Sequence, residues 1–430
     1  MEKQIIFIII LAITLGIFSF TALRIYRFFK LTKPFPIGET GKRLMLMLTV
    51  AIGQTKIFRR PVVGLMHALV FWGFMVITLG SLEMVLDGIT GHERVLRKLG
   101  IVYDVITASG DVFALVVLIM IVAFLGRRLV MNINRFKGSE MKKISKVDAN
   151  VALSIILVLM VSLTGMNTYY VLSTFDCRPG IYPVSSHLAQ LIGMSGTDHT
   201  MHEFFWWTHI LFIFLFANLL PYSKHFHVFM SVPNVFLSRL QPLGYLSHMK
   251  NIENEVRLMM NPDTAFAAPA GEPAPPERFG VKDVEDVTWK SYLDSLACTE
   301  CGRCTSVCPA NITGKKLSPR KIIMDVRARM KEKGPGMVKN GRDFNDMKSL
   351  LHDYITPEEL WACTTCNACA QECPININHP SVIVDMRRYM VMEEASAPAA
   401  LNLMFTYIEN NGAPWQYPAH ERETWMEEFR

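Results

Sequence analysis

The stretch CTECGRCTSVCP spans residues 298–309, and a close copy, CTTCNACAQECP, spans residues 363–374. Each copy has the spacing C-x2-C-x2-C-x3-C-P, and together they hold eight of the nine cysteines in the chain. Three thiolates on one tight turn can bind three corners of an iron–sulfur cube, while the fourth, followed by proline, reaches the other cube. The pattern therefore predicts two cross-ligated [4Fe-4S] clusters.

The predicted ligands form two sets, and each set draws on both copies. The first cluster site consists of Cys298, Cys301, Cys304 and Cys373, and the second cluster site consists of Cys363, Cys366, Cys369 and Cys308. Structural zinc is the alternative, but zinc typically uses paired C-x2-C knuckles separated by a longer loop. Four cysteines in one compressed run, repeated and followed each time by proline, favour iron–sulfur clusters.

The rest of the composition indicates a membrane protein, since half of the 430 residues are hydrophobic and the mean hydropathy is +0.24. Five apolar segments have about the 20 residues that a helix needs to cross a bilayer. They are Ile5 to Leu23, Val62 to Leu86, Val105 to Leu125, Val151 to Leu172 and Phe204 to Pro221. We expect the first to be a retained helix, because its basic residues follow the apolar run instead of preceding it. The expected fold class is an all-α membrane protein, a five-helix transmembrane bundle followed by a cytoplasmic α-helical ferredoxin domain.

Lysine and arginine counts in the loops predict the orientation. Residues 24–60 hold nine of them and residues 127–146 hold seven, whereas residues 87–104 hold three and residues 175–203 hold one. The basic loops are expected in the cytoplasm of a prokaryotic cell, so the N-terminus lies outside the inner membrane and the cysteine copies lie inside. The cytoplasm is a reducing compartment, so cysteines there stay reduced and available to bind iron. The net charge of +6 is concentrated in these loops, which argues against nucleic-acid binding.

Histidines in the apolar segments are the candidate redox ligands of the membrane half. His67 lies seven residues beyond Arg60, roughly 10 Å into the second segment. A histidine in lipid is costly unless it has a partner or a function. His209 and His227 are eighteen residues apart, so they share one helix face if the last helix stays regular past Pro221, with His225 on nearly the opposite face. Haem ligation and plain helix–helix hydrogen bonding are the two interpretations.

The segment THILFIFLFANLLPYSKHFH, residues 208–227, resembles the last membrane helix of the respiratory nitrate reductase gamma subunit. His209 lies twelve residues before Pro221 and His227 lies six after it, and both offsets match that family. The resemblance implies haem b between the second and last helices, with His67 and His227 as one ligand pair. His209 would hold a second haem b, although Ile77 stands where the family has its partner histidine.

The partner of His209 stays open at this stage. If His209 and His67 bound the same haem, the structure would have to compensate for the different depths of these two residues in the membrane. The other candidates lie in or beside the outer loops, and the sequence does not select among them: His92, His187, His199 and His202.

The cysteine region resembles the α-helical ferredoxins of succinate dehydrogenase and heterodisulfide reductase. Related patterns follow the two copies, IIMDVRARM at residues 322–330 and VIVDMRRYM at residues 382–390, with Pro319 and Pro380 near the expected helix starts. Residues 405–425 resemble the segment that leads, in fused heterodisulfide reductase-like proteins, into a catalytic domain with CCG cysteine motifs. No CCG motif occurs in this sequence.

Composition and resemblance together predict four regions. Residues 1–230 form a five-helix cytochrome b-like domain, 231–280 a juxtamembrane segment with an Ala/Pro-rich linker, 281–395 a two-[4Fe-4S] ferredoxin domain, and 396–430 a tail suited to partner docking. The resemblance implies a subunit that relays electrons between a cytoplasmic oxidoreductase partner, with a CCG-domain protein among the options, and the membrane quinone pool. A haem-free iron–sulfur anchor and a catalytic heterodisulfide or sulfur reductase are the alternatives. The direction of electron flow, the quinone pocket and any quinone reductase or quinol oxidase activity of the chain itself stay open.

Overall fold

A computed structural model describes residues 2–138, 140–174, 179–194, 196–261 and 278–429. Throughout these ranges the regular elements are helices, and no β-strand is formed. Most of the expected Ala/Pro-rich linker, at 262–277, and the ninth cysteine, Cys177, lie outside the described residues.

The N-terminal half is a bundle of long helices joined by short ones. In chain order the helices are α1 (Glu2–Lys30), α2 (Thr40–Leu46), α3 (Pro61–Thr90), α4 (Ile101–Leu129), α5 (Lys143–Ser173), α6 (Pro183–Ile192), α7 (Asp198–Leu219), α8 (His227–Phe236) and α9 (Lys250–Met260). Within the described ranges, five of them (α1, α3, α4, α5 and α7) are long and apolar enough to cross a membrane. The five apolar segments predicted from the sequence all lie within these helices or the turn that follows α7, so the all-α bundle is confirmed.

Small residues set the distances between the spanning helices. A Cβ atom at Gly88 of α3 would lie 2.5 Å from the ring of Phe7 in α1. A Cβ atom at Gly165 of α5 would lie 2.9 Å from the ring of Phe205 in α7. Because membrane helices associate largely through close packing, these glycines fix how near α3 and α5 come to their neighbours.

The last spanning helix ends near Pro221, as its apolar segment predicted, and does not continue to His227. Helix α7 ends at Leu219, a 3-10 turn covers Leu220–Tyr222, and Ser223 is extended, with φ of −95° and ψ of 156°. Pro221 favours the break, because proline has no N–H to donate to the carbonyl oxygen four residues earlier. A regular helix past Pro221 was the condition for placing His209 and His227 on one face, and that condition is not met. His225, expected on the opposite face, has its ring centroid 5.9 Å from that of His227.

The cysteine region is built from shorter helices. In chain order they are α10 (Trp289–Ala297), α11 (Arg303–Ser306), α12 (Pro309–Ile312), α13 (Pro319–Asn340), α14 (Pro357–Trp361), α15 (Ala368–Glu372), α16 (His379–Met392) and α17 (Ala399–Asn411). The two repeat helices start alike: the side chain of Ser318 caps α13, that of Asn378 caps α16, and a proline occupies the first turn of each. Capping oxygens and early prolines both favour a helix start, as the repeated pattern predicted.

The cysteine region packs directly on one end of the bundle, where α1 and α4 finish and α3 and α5 begin. Ile25 and Phe28 of α1 and Phe226 share an apolar core with Ile323 and Met330 of α13. This core makes the two halves one packed structure at that end.

Candidate iron–sulfur and haem sites

The two cysteine copies fold alike because two residues of each adopt the left-handed conformation. Glu300 and Gly302 have φ of 58° and 74°, and Thr365 and Asn367, at the same positions of the second copy, have φ of 54° and 60°. These turns curl the chain back between successive cysteines. At position 302 glycine also avoids a clash, since a Cβ atom there would lie 2.9 Å from the carbonyl oxygen of Arg135.

The four cysteines of the second cluster site line one cavity: Cys308, Cys363, Cys366 and Cys369. One cysteine of the first copy thus joins three of the second around a common space. The N–H of Thr365 points to the sulfur of Cys363 at 3.4 Å. Cys366 is exposed, so this site opens to the protein surface. Four convergent thiols with an N–H donor to one sulfur are a donor set that fits an iron–sulfur cube.

The cysteines of the first cluster site are also neighbours, and they are more deeply buried. Cys373 lies within electrostatic reach of Cys298 and Cys301, and Cys304 lies within reach of all three. Burial, reinforced by the neighbouring thiolates, raises the pKa of Cys298 to about 11 and that of Cys373 to about 12. Without iron these thiols hold their protons at neutral pH, and binding of iron must displace them. Cys304 also faces Cys369, so the two sites are adjacent.

His67 and His227 lie within electrostatic reach of each other beside the first cluster site. His67 lies within electrostatic reach of His227 and of Arg303, and its buried Nδ1 atom has no hydrogen-bond partner. Nδ1 of His227 lies 3.3 Å from the carbonyl oxygen of Lys224. A proton on that nitrogen leaves Nε2 with the lone pair that binds iron. Burial lowers the pKa of His227, which keeps its ring neutral. An orphaned nitrogen opposite a neutral imidazole fits a haem ligand pair.

His209 is buried on α7 and faces α5. Its Nδ1 atom lies 2.9 Å from the carbonyl oxygen of Leu159 and 3.0 Å from Oγ of Ser162, whereas its Nε2 atom is buried without a partner. The free Nε2 atom fits a metal ligand, and the Nδ1 contact alone fits a helix–helix hydrogen bond. Ile77 packs against the apolar cluster that contains Leu159. The position where the resemblance implies a second ligand is therefore apolar.

The outer histidines are spread over the far end of the bundle. His92, His187 and His199 are exposed. His202 is buried, with Nδ1 3.0 Å from the carbonyl oxygen of Met166. It precedes His209 by seven residues on the same helix, roughly 10 Å along the axis, so these two cannot bind opposite faces of one haem.

Two arginines outside the predicted ligand sets hold the first cysteine of each copy. Arg327 of α13 donates to the carbonyl oxygen of Cys298 at 3.1 Å, and Arg387 of α16 donates to that of Cys363 at 2.5 Å. They occupy equivalent places in IIMDVRARM and VIVDMRRYM, so a comparison of the two repeats could have identified them from the sequence. Each copy is thus anchored to the helix that follows it.

Polar contacts fix the cluster sites against the bundle. Arg303 donates to the carbonyl oxygens of Lys56 and Ile57, just before α3. Arg59 donates to the carbonyl oxygen of Gln371 at 2.6 Å. In the loop between α4 and α5, Glu140 accepts a hydrogen bond from Arg320 at 2.6 Å. Segments from both cysteine copies therefore touch the same end of the membrane domain.

Comparison with known protein families matches residues 297–377 to the 4Fe-4S dicluster domain. Over 99% of its length the chain is 27% identical to the "Probable iron-sulfur-binding oxidoreductase FadF" of Bacillus subtilis, of which it covers 61%. Over 91% of its length it is 28% identical to "EtfAB:quinone oxidoreductase" of Syntrophomonas wolfei, of which it covers 54%. A "Probable membrane-anchored ferredoxin" of Chromohalobacter salexigens is 37% identical over 28% of this chain and 20% of its own.

The chain therefore spans little more than half the length of the first two relatives. No solved structure matches it. The family match covers both cysteine copies and decides for iron–sulfur clusters over zinc. The chain is a helical membrane protein with a 4Fe-4S dicluster domain and an iron–sulfur electron-transfer role, related to iron–sulfur oxidoreductases.

Proposed function

We propose that the protein relays electrons between a cytoplasmic oxidoreductase partner and membrane quinone through two [4Fe-4S] clusters and a haem b. The observation that carries the proposal is the order of sites: surface Cys366, then the buried first cluster site, then Arg303, then His67 beside His227. The proposal keeps the four regions expected from the sequence, with the relay running from residues 281–395 into residues 1–230.

The second cluster site is the contact point for the partner. Cys366 is exposed, whereas Cys373 of the first site is 6% exposed. An electron carrier in solution can approach the second cluster more closely than the first, where Cys301 is half-buried and the other three cysteines are buried. Cys304 and Cys369 lie within electrostatic reach of each other, so the second site is close enough to pass electrons to the first. The ligand sets are Cys298, Cys301, Cys304 and Cys373 for the first cluster and Cys308, Cys363, Cys366 and Cys369 for the second.

His67 and His227 are the proposed haem b ligands. A bis-histidine haem b accepts and donates single electrons, which is the chemistry that it would supply here. The chain's part is to hold two neutral imidazoles opposite each other: the carbonyl of Lys224 orients His227, and α3 presents His67. His209, with its free Nε2 atom, is the proposed ligand of a second haem b on the far side.

The orientation follows from charge. The end of the bundle that carries the cluster sites also carries the basic loops, including Lys56, Arg59, Arg60 and Arg135. Positive loops stay in the cytoplasm. The partner is then a cytoplasmic protein, and the N-terminus is outside. The relative named for EtfAB and quinone supports quinone as the membrane-side substrate.

The first experiment is a reduced-minus-oxidised absorption spectrum, with haem and iron quantitation, on the purified membrane protein. The wild type, His67→Ala and His209→Ala are compared, with His225→Ala as the matched control because its ring lies next to His227. We expect His67→Ala to remove a b-type haem and His225→Ala to keep it. Loss of a second haem in His209→Ala would establish a transmembrane haem pair.

Two outcomes would overturn the proposal in different ways. A wild type with eight cluster irons but no haem would make the chain an iron–sulfur membrane anchor. Disulfide reduction by the isolated protein would make it a catalytic heterodisulfide or sulfur reductase.

A further inference from the structure

We propose that Arg303 is a positioning residue that raises the reduction potential of the first cluster. The electron is then held preferentially on the first cluster, near His67. The inference rests on the proposed ligand sets. It concerns a residue inside the first cysteine copy, between Cys301 and Cys304, that is not itself a ligand.

Arg303 is buried, with 5% of its surface exposed, although it carries a permanent charge. Its guanidinium donates to two neutral carbonyl oxygens, that of Lys56 at 3.1 Å and that of Ile57 at 3.2 Å. Among the described residues it forms no ion pair within 4.0 Å. One carboxylate within its electrostatic reach, Glu372, is shared with Arg59 and Arg60. The charge of Arg303 is therefore held in place by the bundle but is not neutralised there.

That charge acts on both neighbouring redox sites. Cys301 and Cys373 of the first cluster site lie within its electrostatic reach, and so does His67. The one-electron reduction of a cluster adds one negative charge and moves no proton. A fixed cation nearby stabilises the reduced form and raises the potential, and burial reduces screening by water.

Three other arginines near the cysteines, Arg327, Arg387 and Arg59, differ from Arg303 in a way that makes them controls. Arg327 is ion-paired with Glu300, which cancels much of its charge. Arg387 donates to the carbonyl oxygens of Leu360 and Cys363 and belongs to the second cluster site. Arg59 lies at the same docking surface as Arg303 but is 39% exposed and contacts Gln371 and Glu372.

The test is a potentiometric titration of the purified full chain, with both clusters followed by electron paramagnetic resonance and the haem by absorbance. The variants are Arg303→Gln, Arg303→Lys, Arg59→Gln and Arg387→Gln. Glutamine keeps a donor for the carbonyl oxygens but lacks the charge, whereas lysine keeps the charge. Arg303→Gln is expected to lower the reduction equilibrium constant of the first cluster about tenfold, a shift of about 59 mV for one electron.

We expect Arg303→Lys to restore most of the wild-type potential, Arg59→Gln to leave it unchanged, and Arg387→Gln to shift the second cluster only. Equal shifts in Arg303→Gln and Arg59→Gln would reduce Arg303 to a docking contact and overturn the inference, as would an unchanged first cluster in Arg303→Gln. Failure of the proposed function looks different, because the wild type itself would then lack two cluster signals or a haem signal.

Discussion

The buried ion pair between Glu140 and Arg320 is the sharpest test of how the cluster sites are held on the bundle. Oε1 of Glu140 accepts from Arg320 Nη2 at 2.6 Å, from Arg320 Nε at 3.0 Å and from Ser318 Oγ at 2.7 Å. The two charged side chains are 5% and 1% exposed. Glu140→Ala leaves Arg320 as an unpaired buried cation.

Breaking a buried pair by removing one partner costs about 3–5 kcal/mol. Since about 1.4 kcal/mol is a factor of ten, local opening of the start of α13 should become a hundredfold to several thousandfold more frequent. Amide hydrogen exchange of residues 320–325 in detergent-solubilised protein measures this directly. Lys316→Ala is the matched control, because Lys316 and Glu358 form an ion pair in which both side chains are more than half exposed. We expect the control to change exchange only slightly.

Two further results decide whether the reasoning is correct. The double variant Glu140→Leu/Arg320→Met should regain most of the protection, because an apolar pair can replace a buried ion pair. Burial alone would raise the pKa of Glu140, but the hydrogen bonds from Ser318 and Arg320 outweigh it and lower that pKa. The stabilisation should therefore be complete above about pH 4.3 and be lost on further acidification. If Glu140→Ala behaves like Lys316→Ala, the loop does not hold α13 and the docking argument fails.

Three other predictions follow from contacts already described. Cys308→Ser should abolish the second cluster, although Cys308 belongs to the first cysteine copy. Iron content and electron paramagnetic resonance measure this. Loss of the first cluster's signal instead would refute the cross-ligation. Hydrogen bonds from Arg329 lower the pKa of Asp346 to about 2, so Asp346→Asn should remove on the order of 1 kcal/mol of stability at pH 7, because water screens this partly exposed carboxylate. The difference from wild type should vanish as the pH falls from 4 towards 2. Gly165→Leu should force α5 away from Phe205 and lower the thermal midpoint, while Gly110→Leu, at a position with open space around it, should not.

The membrane helices could be predicted from the sequence because the bilayer imposes a length and a composition on each helix separately. The sequence placed Pro221 between His209 and His227 but did not decide whether the helix continues past it. The cross-ligated cysteine sets stay a prediction, which rests on the C-P spacing as a local geometric rule. That His67 and His227 lie near each other could be inferred only through a family resemblance, since 160 residues separate them.

Contacts between distant segments could not be predicted from the sequence around either residue. Glu140 and Arg320 are 180 positions apart, and each looks like an ordinary surface charge when it is considered alone. Arg303 is similar: its neighbours in sequence are ligands, but its hydrogen bonds go to carbonyls 247 and 246 positions away. Buried charges of this kind are specified by the assembled fold, so their roles become visible only with the structure.

The duplication gives two sites with the same ligand type, four cysteines each, and their different surroundings suit them to different roles. Both copies keep the paired left-handed residues and the arginine that holds the first cysteine. They differ where they meet their surroundings. The first copy has Gly302 under the carbonyl of Arg135 and Arg303 on the carbonyls before α3, so it faces the bundle. The second has exposed Thr365 and Cys366 at the equivalent turn, so it faces solvent. The proposed relay needs this asymmetry, because one cluster would have to be reached by a partner and the other would have to lie against the membrane-side acceptor.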